Sequence, residues 1–144
     1  MDFQIRECKM EDASAVHNLN SAELGYEYSI DSTKAKLKCL LKSKKDQIFV
    51  ATVGPVVVGY VHACDYDLIY APHLKNIMGI AVLSEYKQQG IGKALLTEIE
   101  KWAKETGAAG VRLASGETRK GAHEFYRRCG YHAVRSQLNF KKYF

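Results

Sequence analysis

No apolar stretch in this 144-residue chain approaches the roughly 18 residues that a membrane-spanning helix needs, so a transmembrane protein is not expected. Proline is scarce, at two residues, and with 47% hydrophobic and 26% charged residues the chain lacks the composition of a disordered or low-complexity segment. The four cysteines, Cys8, Cys39, Cys64 and Cys129, form no C-x-x-C pair and have no histidine at metal-ligand spacing. Reduced structural thiols are expected, and no metal. Met1-Asp2-Phe3-Gln4 lacks the basic run followed by an apolar one that marks a secretory signal, so a cytoplasmic protein is expected. No recognised nucleic-acid motif accompanies the net charge of +5, and the basic residues are dispersed apart from residues 34–45 and Lys141-Lys142. They read as a solvated helix face, with no nucleic-acid or membrane partner expected, while attraction of a multiply phosphorylated cofactor stays open. Without a repeat or a linker, residues 1–144 read as a single domain, which at this size buries roughly 70% of its unfolded surface.

What is present is a regular succession of elements. Residues 3–6 alternate apolar and polar side chains as a strand does, and Glu11-Asp12 open a helix with Ala13, Val16 and Leu19 on one face. After Gly25-Tyr26, Asp31 or Ser32 is the expected cap of a second helix that buries Leu37, Leu40 and Leu41. Residues 47–53 and 56–63 are β-branched runs joined by Gly54-Pro55, a hairpin pattern. A polar and aromatic connection, 65–72, leads to an apolar strand at 76–83. Ile91, Leu95, Ile99 and Trp102 recur at helical spacing up to Thr106-Gly107, residues 110–115 form a short strand, and Ala122, Phe125, Tyr126 and Cys129 share a helix face that stops at Gly130. A last strand pair is predicted within residues 131–140. The order β-α-α-β-β-β-α-β-α-β-β implies an α/β fold: a mixed sheet, antiparallel first, with helices on both faces.

Between the apolar strand and the long helix stands Lys87-Gln88-Gln89-Gly90-Ile91-Gly92-Lys93-Ala94. Two glycines at a helix N-terminus let backbone N–H groups converge where the helix carries about half a positive charge, which makes an anion cradle. A plain strand-to-helix turn would use the same residues. A Walker loop is excluded, because Ala94 follows Gly92-Lys93 and position 87 is lysine; a dinucleotide fingerprint is excluded by Leu95 at its third glycine position.

Ile80-Ala81-Val82 followed by Tyr86 and the run from Lys87 to Leu96 resembles motif A of the GCN5-related N-acetyltransferases, [RQ]-x-x-G-x-[GA], with Lys87 at the first position. That lysine keeps the charge and loses a planar fork. Ala122-His123-Glu124-Phe125-Tyr126-Arg127-Arg128-Cys129-Gly130-Tyr131 resembles motif B, and Ser115-Gly116 with Arg119 gives a likeness to small bacterial members. The resemblance covers residues 3–142. It implies the family's fold, a mixed and mostly antiparallel sheet flanked by helices, and acetyl-CoA as co-substrate. The backbone of Ile80, Ala81 and Val82 would meet the pantetheine arm, and Lys87, Gln88, Gln89, Gly90, Ile91, Gly92, Lys93 and Ala94 would hold the pyrophosphate. Arg119 stands where many members carry an asparagine and would reach a phosphate; the resemblance also implies a homodimer.

Acetyl transfer to an amine needs a neutral nucleophile, a polarised carbonyl and a proton for the departing thiolate. By resemblance Tyr126 is that acid and touches the cofactor; by spacing alone it reads as a core residue. No carboxylate stands in residues 76–82, where many relatives carry a glutamate, so no base is named; His62 and His73 titrate in the right range. Glu23, Tyr26 and Tyr28 lie between the first two helices, which in the family border the acceptor site, and a carboxylate beside aromatic rings suits an ammonium group. Together with His62 they are the expected acceptor residues, with Asp65, Tyr66 and Asp67 as further candidates. The resemblance thus implies transfer to a primary amine of a small molecule. A protein N-acetyltransferase and a non-catalytic acetyl-CoA-binding regulator are the alternatives.

Overall fold

The alternation at residues 3–6 becomes β1 (Gln4–Glu7) in a computed structural model that describes residues 2–144. A 3-10 turn at Met10–Asp12 leads into α1 (Ala13–Leu24), which buries Ala13, Val16 and Leu19 as their spacing predicts. Asp12 fixes this junction: its carboxylate accepts two bonds from the Arg6 guanidinium, at 2.8 and 2.9 Å, and one from the Lys9 N–H at 2.8 Å. Gly25, at φ 73, ends α1 in the left-handed region that favours glycine. The following helix, α2 (Ile30–Lys42), is capped by Ser29, whose hydroxyl accepts from the Ser32 N–H at 3.0 Å, and not by the expected Asp31 or Ser32. Its inward stripe runs Thr33, Leu37, Leu40 at i, i+4, i+7, so Leu41, expected inside, falls at the margin and is 36% exposed.

Strands β2 (Asp46–Val53) and β3 (Val56–Tyr66) form the anticipated hairpin and pair antiparallel, with β1 on the outer side of β2. Next, β4 (Leu74–Val82) pairs antiparallel with β3, the long helix α3 (Ile91–Glu105) crosses over, and β5 (Gly110–Arg112) joins β4 in parallel. The sheet order is β1-β2-β3-β4-β5. Adjacent residues of a strand point to opposite faces, and β3 shows which helix covers which. The Tyr60 hydroxyl donates to Asn20 Oδ1 of α1 at 2.5 Å, whereas a Cβ on neighbouring Gly59 would meet Leu95 of α3 at 3.4 Å. Helices α1 and α2 therefore cover one face, over Ile48, Val50, Tyr60 and Ala81, and α3 covers the other with Leu95, Leu96 and Ile99. Each such leucine or isoleucine contributes about 1.5–3 kcal/mol relative to exposure.

The chain divides into two compact units, Met1–Leu113, which holds the sheet, and Ala114–Phe144. The second contains α4 (Lys120–Arg128), which ends near Gly130 at φ 93. The strand pair predicted within residues 131–140 is not formed: residues 131–144 carry no strand, and Val134, Leu138, Phe140, Tyr143 and Phe144 are all at least 81% exposed. A β-branched and aromatic run becomes a strand only where a ladder satisfies its peptide groups, and an isolated pair is marginal.

Candidate active site

Strand β4 is paired to β5 only through Leu74↔Gly110, Lys75↔Val111 and Asn76↔Arg112, whereas on its other side β3 follows it to Val82. Strand β5 ends at Arg112, opposite Asn76, and the β5-side edge of β4 through Ile80, Ala81 and Val82 has no strand partner among the described residues. A strand edge of this kind presents peptide N–H and C=O groups to an extended ligand. The Ala81 side chain is buried and those of Ile80 and Val82 are half-buried, so what the edge offers is backbone.

At the end of β4 a 3-10 turn, Ser84–Tyr86, carries the chain to Lys87 and then to the N-terminus of α3. Gln88 has φ 62 and Gly90 φ 86, both left-handed, and glutamine pays about 1 kcal/mol or more for that position. Left-handed residues here aim successive backbone N–H groups at one concavity. The first helical bond is Ala94 N–H to the Gly90 carbonyl at 3.0 Å, so the amides of Ile91, Gly92 and Lys93 precede the intrahelical ladder and remain available to an anion. A Cβ built on Gly90 would meet nothing within 4 Å, so the loop stands beside open space. Ile91 is 1% exposed and anchors the helix from below, while Gln88, Gln89 and Lys93 are exposed. This donor set, peptide dipoles with two nearby lysines, fits a diphosphate.

Helices α1 and α2 and their connection border a half-open cavity of about 310 Å³ lined by His17, Asn20, Tyr26, Glu27, Tyr28 and Thr33. It is at the small end of the range for ligand pockets. Tyr26 and Tyr28, both expected here, line it and are more than half exposed. Glu23 does not: its carboxylate is turned to Ser84 and Lys87, at 2.9 and 3.2 Å. Glu27, between the two tyrosines, is the carboxylate of the cavity. Its place between two aromatic residues is a signal the sequence carries; Asn20 is identified only by its bond to Tyr60.

The remaining candidates have partners elsewhere in the same unit. His62 Nε2 lies 2.7 Å from Asp46 Oδ1 and away from the cavity lining. Lys75, 2% exposed, donates to Asp65 at 2.6 Å and to His73 Nε2 at 3.0 Å, which leaves the His73 ring proton on Nδ1, donated to Asp67 at 2.6 Å. Tyr66 lies under the Arg112 guanidinium at 4.4 Å, so Asp65, Tyr66 and Asp67 are committed to this end of the sheet. Of the cysteines, Cys8 has its thiol pushed up to about 12 by burial and the nearby Asp12 charge, and stays protonated.

In the second unit Tyr126 is 9% exposed, with its ring 5.3 Å from Phe125 and 6.3 Å from Tyr131 between centroids. Burial raises its phenol above the ordinary value, against a smaller opposing effect of Arg119, so it holds its proton at neutral pH. Arg119 is the exposed residue preceding α4.

Comparison with known proteins agrees with this geometry. The acetyltransferase (GNAT) family model matches residues 13–131. An uncharacterised N-acetyltransferase of Methanocaldococcus jannaschii is 37% identical over 97 residues, which are 65% of this chain and 42% of that protein. One from Archaeoglobus fulgidus is 31% identical over 65% of each chain, so this chain spans less than two thirds of either relative. Among solved structures, a transcriptional regulator from Bacillus halodurans C-125 superposes with a TM-score of 0.86 at 27% identity, covering 98% of this chain and 100% of that one. The aminoglycoside N-acetyltransferase AAC(6')-Iy in complex with CoA gives 0.89 at 16% identity, over 98% and 95% of the two chains, and shares the fold. With an unpartnered β4 edge, a glycine-bearing helix start and a family match over most of its length, the chain belongs to the GNAT acetyltransferase family.

Proposed function

We propose that the protein is an acetyl-CoA-dependent N-acetyltransferase that acts on a primary amine of a small molecule. The observation that carries this reading is the unpartnered edge of β4 running directly into a left-handed, glycine-bearing helix N-terminus. Peptide groups of Ile80, Ala81 and Val82 bind the pantetheine arm, and the amides from Gln88 to Lys93 bind the pyrophosphate, that of Ala94 being committed to the Gly90 carbonyl, with Lys87 and Lys93 adding charge and Arg119 a further phosphate contact. Bound acetyl-CoA supplies the thioester acetyl group. The cavity formed by Tyr26, Glu27 and Tyr28 takes the acceptor, its carboxylate and rings suiting an ammonium-bearing molecule. Tyr126 gives its proton to the thiolate as the C–S bond breaks, and the amine loses its proton to water, since β4 holds no carboxylate. A cytoplasmic location and a homodimer complete the proposal.

Amine-dependent release of CoA thiol across a panel of polyamines, amino acids, aminoglycosides and lysine peptides tests it. Turnover with a small amine is expected. Turnover confined to peptides would make the acceptor a protein. Tight acetyl-CoA binding with no turnover on any amine would favour the second reading, a non-catalytic acetyl-CoA sensor, which the missing β4 carboxylate and the likeness to the B. halodurans regulator support.

A further inference from the structure

Glu23 stands near the C-terminal end of α1, yet its side chain is only 9% exposed. Every polar contact it makes goes to the segment between β4 and α3. Oε1 accepts from the Ser84 hydroxyl at 2.9 Å, Oε2 accepts from the Ser84 N–H at 3.1 Å and lies 3.1 Å from that hydroxyl, and Lys87 Nζ is 3.2 Å from Oε1. A carboxylate withdrawn this far from water is tolerated only when its oxygens are satisfied, and here all the donors belong to one loop. Burial by itself would raise its pKa, but the bonds from Ser84 and Lys87 outweigh it and hold the group below the ordinary carboxylate value. Around Ser84 the backbone bonds run from Leu83 N–H to Val58, Tyr86 to Leu83 and Lys87 to Ser84, the last a long one at 3.3 Å. Immediately afterwards comes Gln88, held at φ 62 without the freedom of a glycine.

We infer that Glu23 is a positioning residue for the anion cradle: its grip on Ser84 from α1 sets where the backbone donors from Gln88 to Gly92 stand, and its pairing restrains Lys87. This rests on the reading that the cradle binds the pyrophosphate of acetyl-CoA. The two contacts act in opposite directions on that affinity. The grip preorganises donors that a mobile loop would have to order on binding. The pairing withholds a cation from the phosphates, because Glu23 and the diphosphate compete for Lys87. Glutamine at position 23 still accepts from the Ser84 N–H and releases Lys87, whereas alanine loses the grip as well.

Calorimetry with acetyl-CoA on the wild type, Glu23→Ala, Glu23→Gln and Ser84→Ala, each shown to be folded by circular dichroism, separates these roles. Kinetics with acetyl-CoA and with acetylpantetheine, a donor lacking the pyrophosphate, complete the test. Glu23→Ala is expected to weaken acetyl-CoA about tenfold, the effect of losing charge-assisted hydrogen bonds, with Ser84→Ala about threefold weaker and Glu23→Gln within about threefold of the wild type. The loss falls on the Kd and KM for acetyl-CoA rather than on kcat, and the KM for acetylpantetheine stays unchanged. Failure of the wild type to bind acetyl-CoA would overturn the reading of the cradle itself. With wild-type binding intact, unaltered affinity in Glu23→Ala or in Ser84→Ala, Glu23→Gln as weak as alanine, or an equal loss with acetylpantetheine would each overturn the role of Glu23 alone.

Discussion

Gly92 and Tyr126 carry the proposed chemistry by different means, and single substitutions tell them apart. Gly92 is the second residue of α3, where the helix N-terminus accepts an aspartate readily, so Gly92→Asp should fold normally. Its carboxylate would occupy the place of the pyrophosphate, and calorimetry should find no acetyl-CoA binding; unchanged affinity would put the cofactor elsewhere. Tyr126→Phe removes the hydroxyl and leaves the ring contacts to Phe125 and Tyr131 in place. With chemistry shown to limit the rate on a real acceptor, kcat should fall by roughly 10²-fold with little change in acetyl-CoA affinity. A variant that melts earlier and turns over normally when folded would return Tyr126 to the core.

The junction between β1 and α1 depends on one carboxylate. Burial would raise the pKa of Asp12, but the two bonds from Arg6 and the Lys9 N–H overcome this and hold it below the ordinary 3.8. The folded state therefore binds this proton less readily than the unfolded chain, so its contribution is complete above about pH 4 to 5 and is lost as the pH falls through the folded value. Urea melts of Asp12→Asn should show a deficit of about 1–2 kcal/mol at pH 7, allowing for the partial exposure of Arg6, and the deficit should shrink as the pH falls below the ordinary 3.8. At this scale much was legible in the sequence, because glycine stops and side-chain periods are local, although the α2 cap falls at Ser29 and not at the expected Asp31 or Ser32. The β2–β3 hairpin was announced by Gly54-Pro55, and the stripe of α3 by Ile91, Leu95 and Ile99. The strands expected within 131–140 fail for the converse reason: a strand requires a partner, and the composition of the run does not encode one. The Glu23 grip was equally out of reach, since it joins residues 61 positions apart.

For the whole molecule, the basic charge and the aromatic tail are the features that act beyond the chain. Leu138, Phe140, Tyr143 and Phe144 are exposed in the isolated chain, and burying such side chains against a second copy is the ordinary way to remove them from water. Light scattering at micromolar concentration should therefore report a species twice 16.2 kDa; a 16.2 kDa particle alone would remove the dimer from the proposal. The glycines and helix start proposed as the cradle are contiguous and stand out in the sequence, whereas the cavity proposed for the acceptor draws on two helices and a loop and is visible only once they are assembled. The early end of β5 beside the longer β4 bears on how such a chain can vary. A ligand held along a strand edge touches peptide groups, which every residue but proline supplies alike. The side chains at positions 80 and 82 are then free to drift among β-formers while the contact persists, and selection for binding falls instead on geometry: on a fifth strand that stops after Arg112 and never closes the gap.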